Sequence, residues 1–132
     1  MTRLELLAPA KNADIGIEAI RHGADAVYIG AEEFGARAAA GNAVADIARL
    51  IRFAHSYKAK VYVTVNTIIF DDERERVARL CRELYEVGCD ALIVQDIRLL
   101  SFDLPPIPLH ASTQMDNRTA DKVARLKELG FN

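Results

Sequence analysis

Four polar stretches of this sequence carry the side chains best suited to chemistry, and each follows an apolar run. Gly30–Arg37 reads GAEEFGAR, Asn66-Thr67 follows KVYVTV, Gln95-Asp96 follows ALIV, and His110–Gln114 reads HASTQ. His110 and Asp96 are the candidate catalytic pair: an imidazole titrates near neutrality and suits a general base, and a carboxylate can take or hold a proton beside it. The competing readings are a hydrogen-bonded structural histidine and an aspartate that caps the helical turn after it. Arg37, within GARAAAG, can grip a carboxylate or phosphate with its planar fork, or form a surface ion pair. Asn66, Gln95, Ser112, Thr113 and Gln114 are the candidate substrate-binding residues, with Asn66 equally suited to bonding an adjacent turn.

Several kinds of chemistry find no motif. There is no HExxH, no P-loop and no GxSxG elbow, so neither a helix-borne zinc site nor a nucleophile elbow can be assembled, and no metal ligands are assigned. Cys81 and Cys89 form no CxxC pair and read as buried, reduced thiols. His22 and His55 fall near helix ends and read as surface residues. Tyr28 and Tyr62 fall inside strands and read as packed.

The elements that must position these residues alternate. The first strand is expected at Leu4–Ala8, closed by Pro9, and a helix follows from Lys11–Asp14 to His22, stopped by Gly23. Ala26–Ile29 is the second strand. Val44, Ile47, Ala48, Ile51 and Ala54 recur at helical spacing over Ala43–Ser56. Lys60–Asn66 is the third strand. Asp71 and Asp72 offer an N-cap to a third helix whose stripe is Val77, Leu80, Cys81, Leu84 and Val87, ended by Gly88. Ala91–Val94 and Pro108–Ser112 are the fourth and fifth strands, joined by a connection with room for one helical turn. A last helix spans Asp116–Leu129. One phrase repeats: HGADAVYIG at 22–30 resembles VGCDALIVQD at 87–96, and ELGFN at 128–132 begins it again.

Strands alternating with helices imply parallel pairing, and strands without polar alternation imply burial on both faces. An open doubly wound sheet usually carries a glycine-rich loop after its first strand, but Ala8-Pro9-Ala10-Lys11-Asn12 has no glycine. The expected fold is therefore α/β, a partial (β/α)8 TIM-like barrel of about five βα units with parallel strands. Residues 1–132 would be the N-terminal portion of that barrel, truncated before it closes, since a strand is due after Asn132. Ligands of such barrels bind where the βα loops converge, at the C-terminal strand ends, and the polar stretches all fall there.

Of the 132 residues, 51% are hydrophobic and 27% charged, with a formal net charge of −2, which is not the basic field of a stand-alone nucleic-acid binder. No apolar run approaches the roughly 20 residues that span a bilayer, and no secretory h-region opens the chain. These features point to a cytoplasmic protein without a membrane partner.

ELLAPA (5–10), GADAVYIG (23–30), FGARA (34–38), VYVTVNT (61–67), VQD (94–96) and LHASTQM (109–115) occur in the order in which similar segments occur in the peptidase U32 family. The resemblance covers essentially the whole chain. It departs at Lys11, where many relatives have glycine, and in the short connection after Asp96. It implies a barrel over the N-terminal part and either of two activities. One is hydroxylation of tRNA, rRNA or a quinone precursor without molecular oxygen, which is the reading preferred here. The other is the collagenase-like peptide hydrolysis of the family label. Several members of the hydroxylation groups carry an iron–sulfur cluster on four cysteines, so the resemblance leaves room for one in the full-length protein with ligands outside this segment, and no cofactor is assigned to this chain. The partner would be an RNA or peptide substrate. A non-catalytic, barrel-derived binding module is the third reading, and open sheet edges would then favour a homo-oligomer.

Overall fold

The computed structural model describes residues 3–35 and 41–132. Apolar runs rich in valine, alanine and isoleucine form five strands: β1 (Leu7–Ala10), β2 (Ala26–Gly30), β3 (Lys60–Val65), β4 (Ala91–Val94) and β5 (Leu109–Ala111). Helices with one apolar stripe connect them: α1 (Ala13–Arg21), α2 (Val44–Ser56) and α3 (Arg74–Glu86), with α4 (Ala120–Glu128) after β5. Between β4 and β5 the chain makes the single helical turn expected, a 3-10 segment at Ile97–Ser101.

All strands are parallel, and their order in the sheet is their order in the sequence. That order separates the two candidate architectures. A doubly wound sheet reverses its strand order at a switch point and carries helices on both faces, whereas a barrel adds each strand beside the last with every helix outside. Here Val27, Ile29, Val61, Val63, Val65, Leu92 and Val94 share a core with Ile20, Ile47, Leu50, Ile51, Val77, Cys81, Leu84 and Leu126 of the helices. The opposite face carries Ala26, Tyr28, Tyr62, Ala91 and Ile93, and no helix residue joins that cluster. The chain is a partial (β/α) barrel, with the second face as its interior.

The repeated phrase has a physical job. Gly23, Gly88 and Gly130 follow α1, α3 and α4 with φ of 104°, 92° and 107°, a region that side-chain-bearing residues rarely adopt. The aspartate two residues later secures a neighbouring strand at its N-terminal end. Asp25 Oδ2 accepts the Leu6 N–H at 2.9 Å, and Asp90 Oδ2 accepts the Val61 N–H at 2.8 Å. In the third copy Phe131 bridges Leu109 in parallel, and the Asn132 N–H donates to the Leu109 carbonyl at 2.9 Å.

Three expectations about element boundaries need correction. β1 starts at Leu7, not Leu4, and contains Pro9; β1 pairs only with β2 among the described residues, so the N–H that proline lacks is not needed by a second neighbour. Asp71 and Asp72 do not cap α3. They lie in a 3-10 turn, Asp71–Glu73, where the Glu73 carboxylate accepts the Phe70 N–H at 2.9 Å. The last helix starts at Ala120, because Asp116 adopts φ 58° and interrupts the chain before Thr119 caps α4.

Candidate functional site at the strand C-termini

Parallel strands in register deliver their next residues to one rim. Val65 pairs Val94, and Val94 pairs Ala111, so Asn66, Gln95 and Ser112 stand at neighbouring positions just past the sheet. Gln95, Asp96 and Gln114 line one groove of about 700 Å³. Ile68, Ile97 and Met115 supply apolar wall, and α4 adds two cations, Lys122 and Arg125, beside the Asp121 carboxylate. Such a mixture of apolar wall and a few polar groups suits a small planar ligand. Arg37 lies outside the described residues.

Ser112 is buried, and its hydroxyl accepts the Gln114 N–H at 3.2 Å, which caps the 3-10 turn Thr113–Met115. Thr113 and Gln114 are exposed on that turn. Asn117, which the sequence reading missed, donates from Nδ2 to the Ser112 carbonyl at 3.0 Å and leaves a buried Oδ1 without a donor. Asn66 is half-buried at the end of β3.

Asp96 is only 5% exposed and has four N–H donors around it. Oδ1 accepts from the Arg98 backbone N–H and from Arg98 Nε, each at 3.0 Å. Oδ2 accepts the Ile69 N–H at 3.0 Å and Arg98 Nη2 at 2.6 Å. The Arg98 guanidinium, together with the two backbone N–H groups, holds the carboxyl down to about 2 against the opposing effect of burial. The capping role and the ion pair are thus both present. Arg98 was not singled out in the sequence, although its spacing, two residues after an aspartate at a strand end, is the available signal.

His110 lies within β5 on the interior face and meets the Tyr62 ring edge-on, with centroids 4.8 Å apart. The Tyr62 hydroxyl donates to the Glu5 carboxylate at 2.8 and 2.9 Å, and burial followed by Glu5 keeps that phenol protonated above its ordinary range. Burial lowers the His110 pKa, with Glu5 opposing, so a neutral imidazole prevails at pH 7. No hydrogen bond joins His110 to Asp96, so the two candidates do not form a dyad. Of the other histidines, His22 is exposed, while His55 Nε2 lies 2.9 Å from Asp90 Oδ2 at the opposite end of the sheet.

The described residues do not fit an iron–sulfur cluster. They contain no group of three or more His, Cys, Asp or Glu side chains placed to hold a metal. Burial pushes the thiols of Cys81 and Cys89 up to about 12, and Cys89 Sγ donates to the Ala91 carbonyl at 3.1 Å. Cluster ligation needs thiolates.

Residues 11–132 match the model of Peptidase family U32. The chain belongs to this family. It is 59% identical over 129 residues to the 23S rRNA 5-hydroxycytidine C2501 synthase of Escherichia coli (strain K12), covering 98% of the chain and 20% of that protein. It is 34% identical over 132 residues to tRNA hydroxylation protein P1 of Bacillus subtilis (strain 168), covering 97% and 31%. A collagenase of Porphyromonas gingivalis (strain ATCC BAA-308 / W83) is 26% identical over 141 residues, covering 97% and 34%. The chain thus spans a fifth to a third of these U32 relatives. The solved structure of the U32 peptidase Mk0906 superposes with a TM-score of 0.74 at 12% identity, covering 99% of this chain and 57% of that one. A phosphonopyruvate hydrolase superposes at 0.65 with 16% identity, covering 98% and 53%. These two likenesses bear on the fold alone. No helix among the described residues is long and apolar enough to cross a membrane.

Proposed function

We propose that this U32 chain serves an RNA-hydroxylating enzyme that forms 5-hydroxycytidine in 23S rRNA, and that its C-terminal rim receives the nucleotide. The observation that carries the reading is the 59% identity, over nearly the whole chain, to a protein named for that reaction. Gln95 and Gln114 offer amides to a base edge, the apolar wall offers a stacking surface, and Lys122 and Arg125 suit phosphate. Asn66, Thr113 and Arg37 complete the substrate-binding set in this proposal, and Ser112, buried with its hydroxyl on the Gln114 N–H, positions the turn that carries Gln114. His110, neutral and half-buried, is the proton acceptor. Hydroxylation replaces C–H by C–O–H, a two-electron oxidation that requires an oxygen donor and a two-electron acceptor in addition to the residues of this chain. The residues of this chain bind, orient and accept a proton. We also propose that further strands close the barrel beyond β5, a reading supported by the Leu109–Phe131 bridge.

The test is nucleoside mass spectrometry of 23S rRNA from a strain deleted for the gene. Loss of 5-hydroxycytidine, restored by the complete protein and not by its His110→Ala variant, is the expected result. Undiminished 5-hydroxycytidine in the deletion strain overturns the proposal.

The collagenase likeness favours a second reading, peptide hydrolysis. The side chains described here support it poorly. Ser112 is 3% exposed with its hydroxyl engaged in capping, and both cysteines are buried and protonated, so none is an activated nucleophile. Gelatin cleavage that disappears in the His110→Ala variant would restore that reading.

A further inference from the structure

The loops after β3 and β4 meet at a single residue. Ile69, 1% exposed, presents both of its backbone polar groups to one ion pair: its N–H donates to Asp96 Oδ2 at 3.0 Å, and its carbonyl accepts from Arg98 Nη2. Arg98 grips the same carboxylate through Nε and Nη2. A second crossing reinforces the first, since Arg74 Nη2 donates to the Ser101 carbonyl at 3.0 Å. The neighbours of the joined residues, Ile68 beside Ile69 and Gln95 beside Asp96, both line the rim groove.

We propose that Arg98, acting with Asp96, is a positioning residue that fixes the β3 loop against the β4 loop and so sets the spacing of Ile68 and Gln95 in the groove that receives the nucleotide. The proposal rests on the groove being the substrate site, as argued above. Its physical basis is the shape of guanidinium. Donors on a planar fork can face a carboxylate and a carbonyl at once, whereas an ammonium acts as a point charge. Asp96 borders the groove, but its carboxylate already accepts from four N–H donors, and the ion pair keeps it charged through neutral pH. In this account Asp96 shapes the site and does not carry a proton in it.

Two measurements on the complete protein test this. The first is amide hydrogen exchange over residues 66–73. Arg98→Met and Asp96→Asn are each expected to speed exchange at the Ile69 N–H while the strands stay protected. Unchanged exchange in both variants overturns the clamp whatever the protein modifies. The second is steady-state modification of an rRNA fragment. The two variants are expected to raise KM by similar factors, the double variant no further than the worse single one, with the pH profile of kcat unmoved. Arg98→Lys, which keeps the charge and the fold, is expected to move the same way by less. A loss of about 10²-fold or more in kcat for Asp96→Asn, with a pH limb gone and Arg98→Met near wild type, would make Asp96 a catalytic residue and overturn the proposal. Faster exchange in both variants of a protein that modifies no RNA supports the clamp and overturns only the substrate reading.

Discussion

The two ends of this sheet solve the same problem with different parts. At the N-terminal end Asp25 and Asp90 each cap one backbone N–H of a neighbouring strand, and both recur at the same place in a repeated phrase. At the C-terminal end Asp96 also accepts a backbone N–H from a neighbouring loop, but it is buried and paired with Arg98, and at Gln95-Asp96 the two copies of the phrase no longer agree. Repetition marks what every βα unit needs in order to fold. Polar residues that do not repeat mark what the molecule needs once, which in a barrel is the site on its C-terminal face.

Substitutions at the two ends should therefore separate activity from stability. The largest effect is expected at His110, which lies on the interior face of β5 outside the lining of the groove. His110→Ala should lower RNA modification by about 10²-fold or more if the imidazole accepts a proton, with little change in Tm. Burial disfavours the His110 imidazolium, so its NMR titration is expected below 6.5, and the group remains a competent base down to that point. A midpoint above 6.5 would contradict the described burial.

At the other end, Asp90→Ala should cost about 2 kcal/mol in urea unfolding, because the Val61 N–H and His55 both lose their partner. Asp25→Ala should cost less than Asp90→Ala, its other partner Arg3 being exposed. Equal effects on modification per folded molecule from Asp25→Ala and His110→Ala would erase the distinction between the ends.

Acid titration sharpens the contrast. Asp96 ionises at about 2 in the fold against 3.8 ordinarily, so its stabilisation is fully present above pH 4 and is lost as the pH falls through about 2. The wild type should lose about 2 kcal/mol more than Asp96→Asn over that window. The smallest expected effect is a gain. Lys58 follows α2 at φ 57°, where Gly23, Gly88 and Gly130 follow the other helices, so Lys58→Gly should raise stability by up to about 1 kcal/mol. A loss in Tm would show that the Lys58 side chain contributes more than its backbone strain costs.

The fold was legible because it rests on local and repeated signals: glycines after helices, valine-rich runs and helical stripes. The rim was legible in outline for the same reason, since strand ends locate Asn66, Gln95, Asp96 and Ser112 without any knowledge of their partners. What stayed hidden depends on long-range contacts. Ile69 lies 27 residues from Asp96 in the chain and contributes backbone, which has no sequence signature. Glu5 reaches Tyr62 from 57 residues away, so the polar side of the barrel interior around His110 read only as packed tyrosine. The end of β1 was misplaced because Pro9 reads as a strand terminator unless it is known that β1 pairs on one side only among the described residues.

The most direct measurement is the yield of 5-hydroxycytidine per folded molecule in two variants of the complete protein, Gln95→Ala/Gln114→Ala at the rim and Asp25→Ala at the opposite end. The rim variant is expected to lose most of the modified nucleoside at an unchanged Tm, and the Asp25 variant to melt earlier while modifying normally per folded molecule. Full modification by the rim variant, or its loss in a stably folded Asp25 variant, would contradict the assignment of the reaction to the C-terminal rim.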